Sequence, residues 1–172
     1  MKICGSKPYD GDTMRILVIS DTHQKLNRAI ELVHDFSKRI DAVIHLGDNT
    51  DDVDFIKRNY RLPVYVVAGN CDYGSSAPPE NVVTFEEKKI YFTHGHSFNV
   101  RYNADMVQER AESFGANVCL FGHTHIPYVN IQKNIIVMNP GSLSEPRGGS
   151  KPSYGIIKID NGKIYPMVIP YI

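Results

Sequence analysis

Five short segments of this 172-residue chain carry side chains able to ligate metal ions, and each begins where an apolar run stops. Asp21 and His23 follow RILVIS (15–20), Gly47 and Asp48 follow AVIHL (42–46), and Gly69 and Asn70 follow VYVVA (64–68). His94-Gly95-His96 follows KIYFT, and Gly122-His123-Thr124-His125 follows VCLF. In a turning loop, residues two apart can face one centre, while glycine lets the backbone crowd in. Taken singly, Asp-x-His reads as a loop cap or surface pair, and Gly-Asp as an ordinary turn. The paired histidines of the last two segments carry more information, because packing does not call for them after a buried strand. The conjunction of all five at strand ends, where α/β sheets place their sites, points to a metal centre.

Those residue types suit a particular chemistry. Two divalent ions about 3.5–4 Å apart need a bridging carboxylate, with hard oxygen and borderline nitrogen donors around them. Asp48, alone after its strand, is the natural bridge. Asp21, His23 and one histidine of the last segment would complete one ion; Asn70, His94 and the other histidine would complete the second. Such a pair lowers the pKa of a bridging water to give a hydroxide nucleophile and polarises phosphoryl oxygens during in-line displacement.

The elements that must position these groups are legible in the same pattern. RILVIS, AVIHL and VYVVA read as buried strands, separated by helices over 27–38 and 51–59. Strand, helix, strand, helix, strand predicts parallel strands with right-handed crossovers. Beyond Pro78-Pro79 the character changes. NVVTFEEKKIYFTH reads as two short strands about a charged turn, 103–114 as a helix ending at Gly115, and NVCLFGH as another buried strand. YVNIQKNIIVMN and YGIIKIDNGKIYPMVI read as hairpins, the second turning at Asn161-Gly162. One α/β domain results, with a parallel half, a meandering half and two sheets packed face to face.

Composition narrows the function classes. Lys plus Arg and Asp plus Glu are 19 each, which leaves no electrostatic footprint for nucleic acid or an anionic membrane. No apolar run approaches the roughly 20 residues of a membrane span, and no signal-peptide pattern opens the chain. Three widely spaced cysteines make no disulfide framework, so a cytoplasmic setting with reduced thiols is the default. Residues 1–13, including Cys4, lack apolar periodicity and are expected to form a loosely ordered extension ahead of a single domain over 14–172.

The blocks DTH, GD in HLGDN, GNCD, THGH and GHTH, in that order from Asp21 to His125, resemble the signature of the calcineurin-like metallophosphoesterases. NPGSLSEPR (139–147) further resembles a small bacterial and archaeal phosphodiesterase subgroup. The resemblance implies a four-layer αββα sandwich of two mixed sheets flanked by helices. It also implies a dinuclear site taking manganese first, with iron, zinc or nickel as alternatives. By it, Asp21, His23, Asp48 and His125 hold one ion, and Asp48, Asn70, His94 and His123 the other. No ligand position of the pattern is missing.

Cys71 departs from the pattern. Many family members carry His there, where the imidazole contacts the phosphate and helps protonate the leaving oxygen, oriented by an acid such as Asp72. The resemblance therefore groups Asn70, Cys71 and Asp72 as the catalytic block. A thiol with a reference pKa near 8.5 is a poorer cationic partner at neutral pH. Slow turnover, favouring diesters with good leaving groups, is the expectation.

Other polar residues are less telling. His96 reads first as holding its turn and second as lining the rim. His45 reads as a satisfied core histidine. Arg147 reads equally as a phosphate ligand or a surface turn, and the loops about 73–79, 98–102 and 142–149 as the source of specificity. The leading function is a phosphodiesterase acting on a small phosphate ester. The alternatives are a phosphomonoesterase or protein phosphatase on the same site, and a non-catalytic scaffold like the retromer subunit of similar fold. Apolar tail strands with exposed edges admit a homo-oligomer.

Cys71→His is expected to raise turnover of a diester with a poor leaving group by about tenfold or more, within the range of general-acid catalysis. Steady-state rates on paired good- and poor-leaving-group esters check this, and an unchanged or lower rate on the poor one refutes it.

Overall fold

The computed structural model describes residues 13–23, 26–132 and 135–172. Residues 1–12, with Cys4 and nearly all of the expected extension, lie outside them. Thr13 is already the first residue of a strand and pairs with Asp160.

The first sheet contains β1 (Thr13–Ile19), β2 (Ala42–His45), β3 (Val64–Val66), β9 (Ser153–Asp160) and β10 (Lys163–Pro170), in the order β10-β9-β1-β2-β3. The second contains β4 (Glu80–Phe85), β5 (Lys88–Thr93), β6 (Val118–Leu120), β7 (Tyr128–Gln132) and β8 (Ile135–Asn139), in the order β4-β5-β6-β8-β7. Helices α1 (Leu26–Phe36), α2 (Asp51–Asn59) and α3 (Asp105–Ser113) complete the domain. β1, β2 and β3 run parallel, as do β5, β6 and β8.

Alternation along the strands builds the layers. Ile16 and Val18 of β1 face a central core with Ile90, Phe92, Val118, Leu120 and Met138 of the second sheet. Their neighbours Leu17 and Ile19 face the opposite way, onto Ala29, Leu32 and Val33 of α1 and Ile56 of α2. In the second sheet Tyr91, Cys119 and Val137 turn outward onto Val107 and Ala111 of α3. Side chains two apart share a face, so each central strand is apolar on both faces and stitches two cores. The order helix, sheet, sheet, helix is the four-layer sandwich. Cys119 is fully buried among these residues as a small core side chain.

The division into a parallel and a meandering half is corrected by the pairing. The β9–β10 hairpin does not extend the second sheet but joins β1 antiparallel, so both sheets are mixed. Its apolar residues on two faces, Ile157 and Ile159 inward and Tyr154 and Ile156 toward α1, need a neighbour in the first sheet. α3 starts later than expected because the Asn103 side chain accepts the Asp105 amide (3.2 Å) instead of entering the helix.

Parallel pairing sets the ends of β1, β2, β3, β5 and β6 on one rim. There the loops after β2 and β3 touch backbone to backbone. Gly47 holds φ +95°, and a Cβ on it would lie 2.5 Å from the Gly69 nitrogen. Gly47→Ala is expected to cost about 2–3 kcal/mol, combining left-handed strain with that collision. Urea unfolding checks this, and a loss under about 0.5 kcal/mol, the level of a bland surface change, contradicts it.

Candidate metal centre

The seven ligands expected from the sequence come from both sheets. Asp21 and His23 leave β1, Asp48 leaves β2 and Asn70 follows β3, while His94, His123 and His125 leave β5 and β6 of the facing sheet. Asp21 and His94 are fully buried, and Asp48 and His125 nearly so.

Each carboxylate is half tied and half free. Asp21 Oδ2 accepts the Ser20 hydroxyl (2.5 Å) and the His123 amide (3.1 Å). Its Oδ1 is buried and accepts no hydrogen bond. Asp48 Oδ1 accepts the Cys71 amide (2.8 Å), and its Oδ2 lies 3.4 Å from His94 Nε2 and 3.8 Å from His23 Nε2.

The imidazoles are oriented to match. His125 Nδ1 donates to the Glu145 carbonyl (2.7 Å), and His94 Nδ1 donates to the Leu46 carbonyl (2.7 Å). A neutral ring protonated on Nδ1 turns a lone pair out at Nε2. His125 Nε2 then faces Asp21 Oδ1 at 3.1 Å and His23 Nε2 at 3.1 Å, and His94 Nε2 faces Asn70 Oδ1 at 3.2 Å. Carboxylate oxygens and imidazole Nε2 atoms thus converge in a buried pocket, an arrangement that bound cations or shared protons make favourable. The ligand atoms of Asp21, His23, Asp48 and His125 all lie within 4.8 Å of one another, so these residues fit an ion. His123 stands beside the second group, its ring centroid 5.2 Å from that of His94.

The local field follows. Burial opposes ionisation of Asp48, but the hydrogen bond and charge of His94 and the Cys71 amide outweigh it and hold its pKa well below the usual range. Burial also opposes protonation of His94, and the hydrogen bond to Asp48 with the charges of Asp21 and Asp48 more than reverses it, raising its pKa. His123 has no such partner. Burial, His94 and Arg101 pull it down to about 4, leaving the neutral ring that a metal ligand requires.

The catalytic block looks different in place. Asp72 accepts four backbone amides, those of Asp48 and Gly69 on Oδ2 (2.8 and 2.7 Å) and those of Asn49 and Thr50 on Oδ1 (both 2.8 Å). Its carboxylate clamps the loop after β2 to the turn after β3. Cys71 is exposed, its Sγ 3.3 Å from Asn70 Nδ2. Burial first and then the charge of Asp48 push its thiol up to about 11.

His45 is buried and bonded, accepting the Gly47 amide at Nδ1 (3.1 Å) with Thr22 Oγ1 at 3.5 Å from Nε2. His96 is exposed on the rim, its ring centroid 5.4 Å from His94 and 6.2 Å from His123. That is the placement the sequence reading ranked second.

Four supporting residues were not singled out in the sequence: Ser20, Asn139, Ser142 and Ser144. Asn139 Nδ2 donates to the Gly122 carbonyl (2.8 Å) and Thr124 Oγ1 (3.0 Å). Ser142 Oγ donates to the Asp21 carbonyl (2.7 Å), and Ser144 Oγ to the Thr22 carbonyl. For Asn139, Ser142 and Ser144 the signal was the run NPGSLS at the end of a buried strand, rich in short hydrogen-bonding side chains.

Fold and site together define a metal-binding αββα hydrolase domain. Residues 14–162 match the model of the calcineurin-like phosphoesterase superfamily domain, and the chain belongs to that superfamily. It is 34% identical over 149 residues to YsnB of Bacillus subtilis, named a probable metallophosphoesterase, covering 86% of each chain. It is 34% identical to the phosphodiesterase YfcE of Escherichia coli over 107 residues, 56% of this chain and 53% of YfcE. A structure from Streptococcus pneumoniae, described as a predicted phosphoesterase, superposes with a TM-score of 0.82 at 29% identity, covering 94% of this chain and 91% of its own. A Vps29 structure from Cryptosporidium parvum shares the fold at TM-score 0.74 and 18% identity, covering 93% and 98%.

Binding a divalent ion is expected to stabilise the native state by about 4 kcal/mol at a thousandfold excess over Kd. Thermal melts with added manganese should therefore rise by several degrees for the wild type and stay flat for Asp21→Asn and Asp48→Asn. Elemental analysis should show the metal lost in both variants. A wild-type melt indifferent to manganese, zinc and nickel contradicts the assignment.

Proposed function

We propose that this protein is a metal-dependent phosphodiesterase acting on a small phosphate ester. The observation that carries the reading is the convergence of Asp21 Oδ1, Asp48 Oδ2 and the Nε2 atoms of His23, His94 and His125 on one buried pocket. Asp21, His23, Asp48 and His125 would hold one divalent ion, and Asp48, Asn70, His94 and His123 a second, with manganese first among the candidates. When bound, such a pair supplies Lewis acidity toward a phosphoryl oxygen and a water of lowered pKa.

The chain's own residues do the positioning. Asp48, anchored by the Cys71 amide, stands between the two histidine groups and can serve both. Glu145 and Leu46 carbonyls lock the tautomers of His125 and His94, so that their lone pairs point inward without reorganisation. The Asp72 clamp fixes Gly69, which presents Asn70.

Diesters are favoured over monoesters because Cys71 replaces the imidazole that would protonate a poor leaving oxygen. The name of the partial relative YfcE supports the same preference. A purely interacting role would leave the convergent acceptors without a purpose. The reading includes a cytoplasmic setting and self-association, for which Val129 and Ile131 of β7 and Tyr165 and Met167 of β10 are exposed.

Hydrolysis of bis(p-nitrophenyl) phosphate and p-nitrophenyl phosphate, compared over manganese, zinc, nickel and iron(II), tests this. The diester is expected to be cleaved at least about tenfold faster with the best metal, a difference of 1.4 kcal/mol in barrier. Equal or reversed rates favour a monoesterase, and no hydrolysis of either overturns the enzymatic reading.

A further inference from the structure

Next to the metal centre lies a groove of about 640 Å³. Thr124, set in sequence between the candidate ligands His123 and His125, forms part of its wall. Arg101 and Tyr102 line it as well, and also line a smaller depression of about 260 Å³ that contains Asn70 and His123. The two spaces therefore share the 101–102 segment as their common wall.

Its lining has two characters. Phe121, Ile126, Pro127 and Tyr128 give an apolar and aromatic floor, with the Phe121 and Tyr128 ring centroids 6.1 Å apart. Tyr102 is 90% exposed and Ile126 44%, more apolar surface than a rim needs if nothing covers it. Set against this are two arginines, Arg101 and Arg147, and one acid, Asp105. Both arginines are exposed. The Arg147 amide is held by the His125 carbonyl (3.1 Å), which fixes the root of that side chain beside the site.

We propose that this groove receives one arm of the substrate, and that the arm carries a planar ring and a second anionic group. The ring lies over the floor formed by Ile126, Pro127 and Tyr128, and Arg101 and Arg147 take the second anion by charge-assisted, planar hydrogen bonding. A neutral apolar arm would leave two guanidinium groups unused. A bare anion would leave the aromatic floor exposed. A ring bearing an acid satisfies both. The inference rests on the phosphoester reading for the place of the first phosphoryl group and adds the class of substituent attached to it.

Calorimetric binding in manganese-containing buffer tests it without turnover, using thymidine 5′-monophosphate and thymidine 3′,5′-bisphosphate as probes. The bisphosphate is expected to bind about tenfold more tightly to wild-type protein, as a charge-assisted pair on an exposed site allows. Arg101→Gln and Arg147→Gln should each reduce that advantage to under about threefold. Lys163→Gln, an exposed charge in the β9–β10 hairpin, should keep it and controls for net charge. An advantage under twofold in the wild type, or one that survives in both arginine variants, overturns the proposal. Failure of the diesterase reading is separate, because it appears as absent diester hydrolysis while these binding ratios stand.

Discussion

Two buried carboxylates a few ångströms apart, each with one oxygen committed to the backbone and one left facing inward, constrain everything around them. Asp21 and Asp48 could not coexist uncompensated in a buried pocket, since unpaired charges there cost several kcal/mol each. The protein supplies donors to the outer oxygens, Ser20 and the His123 amide for Asp21 and the Cys71 amide for Asp48, and sets imidazole Nε2 atoms around the inner oxygens. The outer bonds fix the carboxylates in place, and the inner repulsion makes the site a receptor for positive charge.

Holding that arrangement requires backbone strain. Asp21, His23, Asp48, His123 and His125 all adopt left-handed φ, between 36° and 67°, a region that side chains other than glycine visit at a cost. Such strain persists only where the surroundings enforce it. Here the enforcement is visible: Asp72 gathers four amides, Ser142 and Ser144 bond the carbonyls of Asp21 and Thr22, and Asn139 holds the Gly122 carbonyl. These residues bear no ligand atom themselves, yet they determine where the ligand atoms point.

Most of the fold was legible because the central strands are apolar on both faces and end abruptly in polar residues. Ile16 to Ile19 gives the strand, and Ser20-Asp21 its end, without reference to anything distant. The candidate ligands were legible for the same reason, as short polar segments at strand ends. What could not be read was anything decided by pairing across the chain. Ile156 and Ile157 announce a strand, but that it lies against β1 depends on a register with Leu17 and Ile16 more than a hundred residues away. Asp72 illustrates the same limit within the site. Its sequence position suggests a partner for its neighbour's side chain, whereas its oxygens are engaged by the nearby Gly69 amide and by those of Asp48, Asn49 and Thr50, which only the meeting of the β2 and β3 loops brings near. Tautomers were equally hidden, because the Glu145 and Leu46 carbonyls that set them lie far from their histidines in sequence.

The centre also joins the two sheets, and this explains why it lies where it does. Asp21, Asp48 and Asn70 belong to loops of the first sheet, and His94, His123 and His125 to loops of the second. Below them the sheets meet in a core of apolar side chains, which are non-directional and specify distance better than register. At the rim the contacts become directional: the His123 amide to Asp21, His94 to the Leu46 carbonyl, and His125 against Asp21 and His23. An ion bound there would add bonds from both sheets to a single point. The sliding freedom left by the apolar core would then be removed at the place where ligand geometry must be accurate to fractions of an ångström. A two-sheet sandwich with its site on the shared rim thus uses one set of polar contacts both to lock the layers and to aim the ligands, so the aim of the ligands depends on the packing beneath.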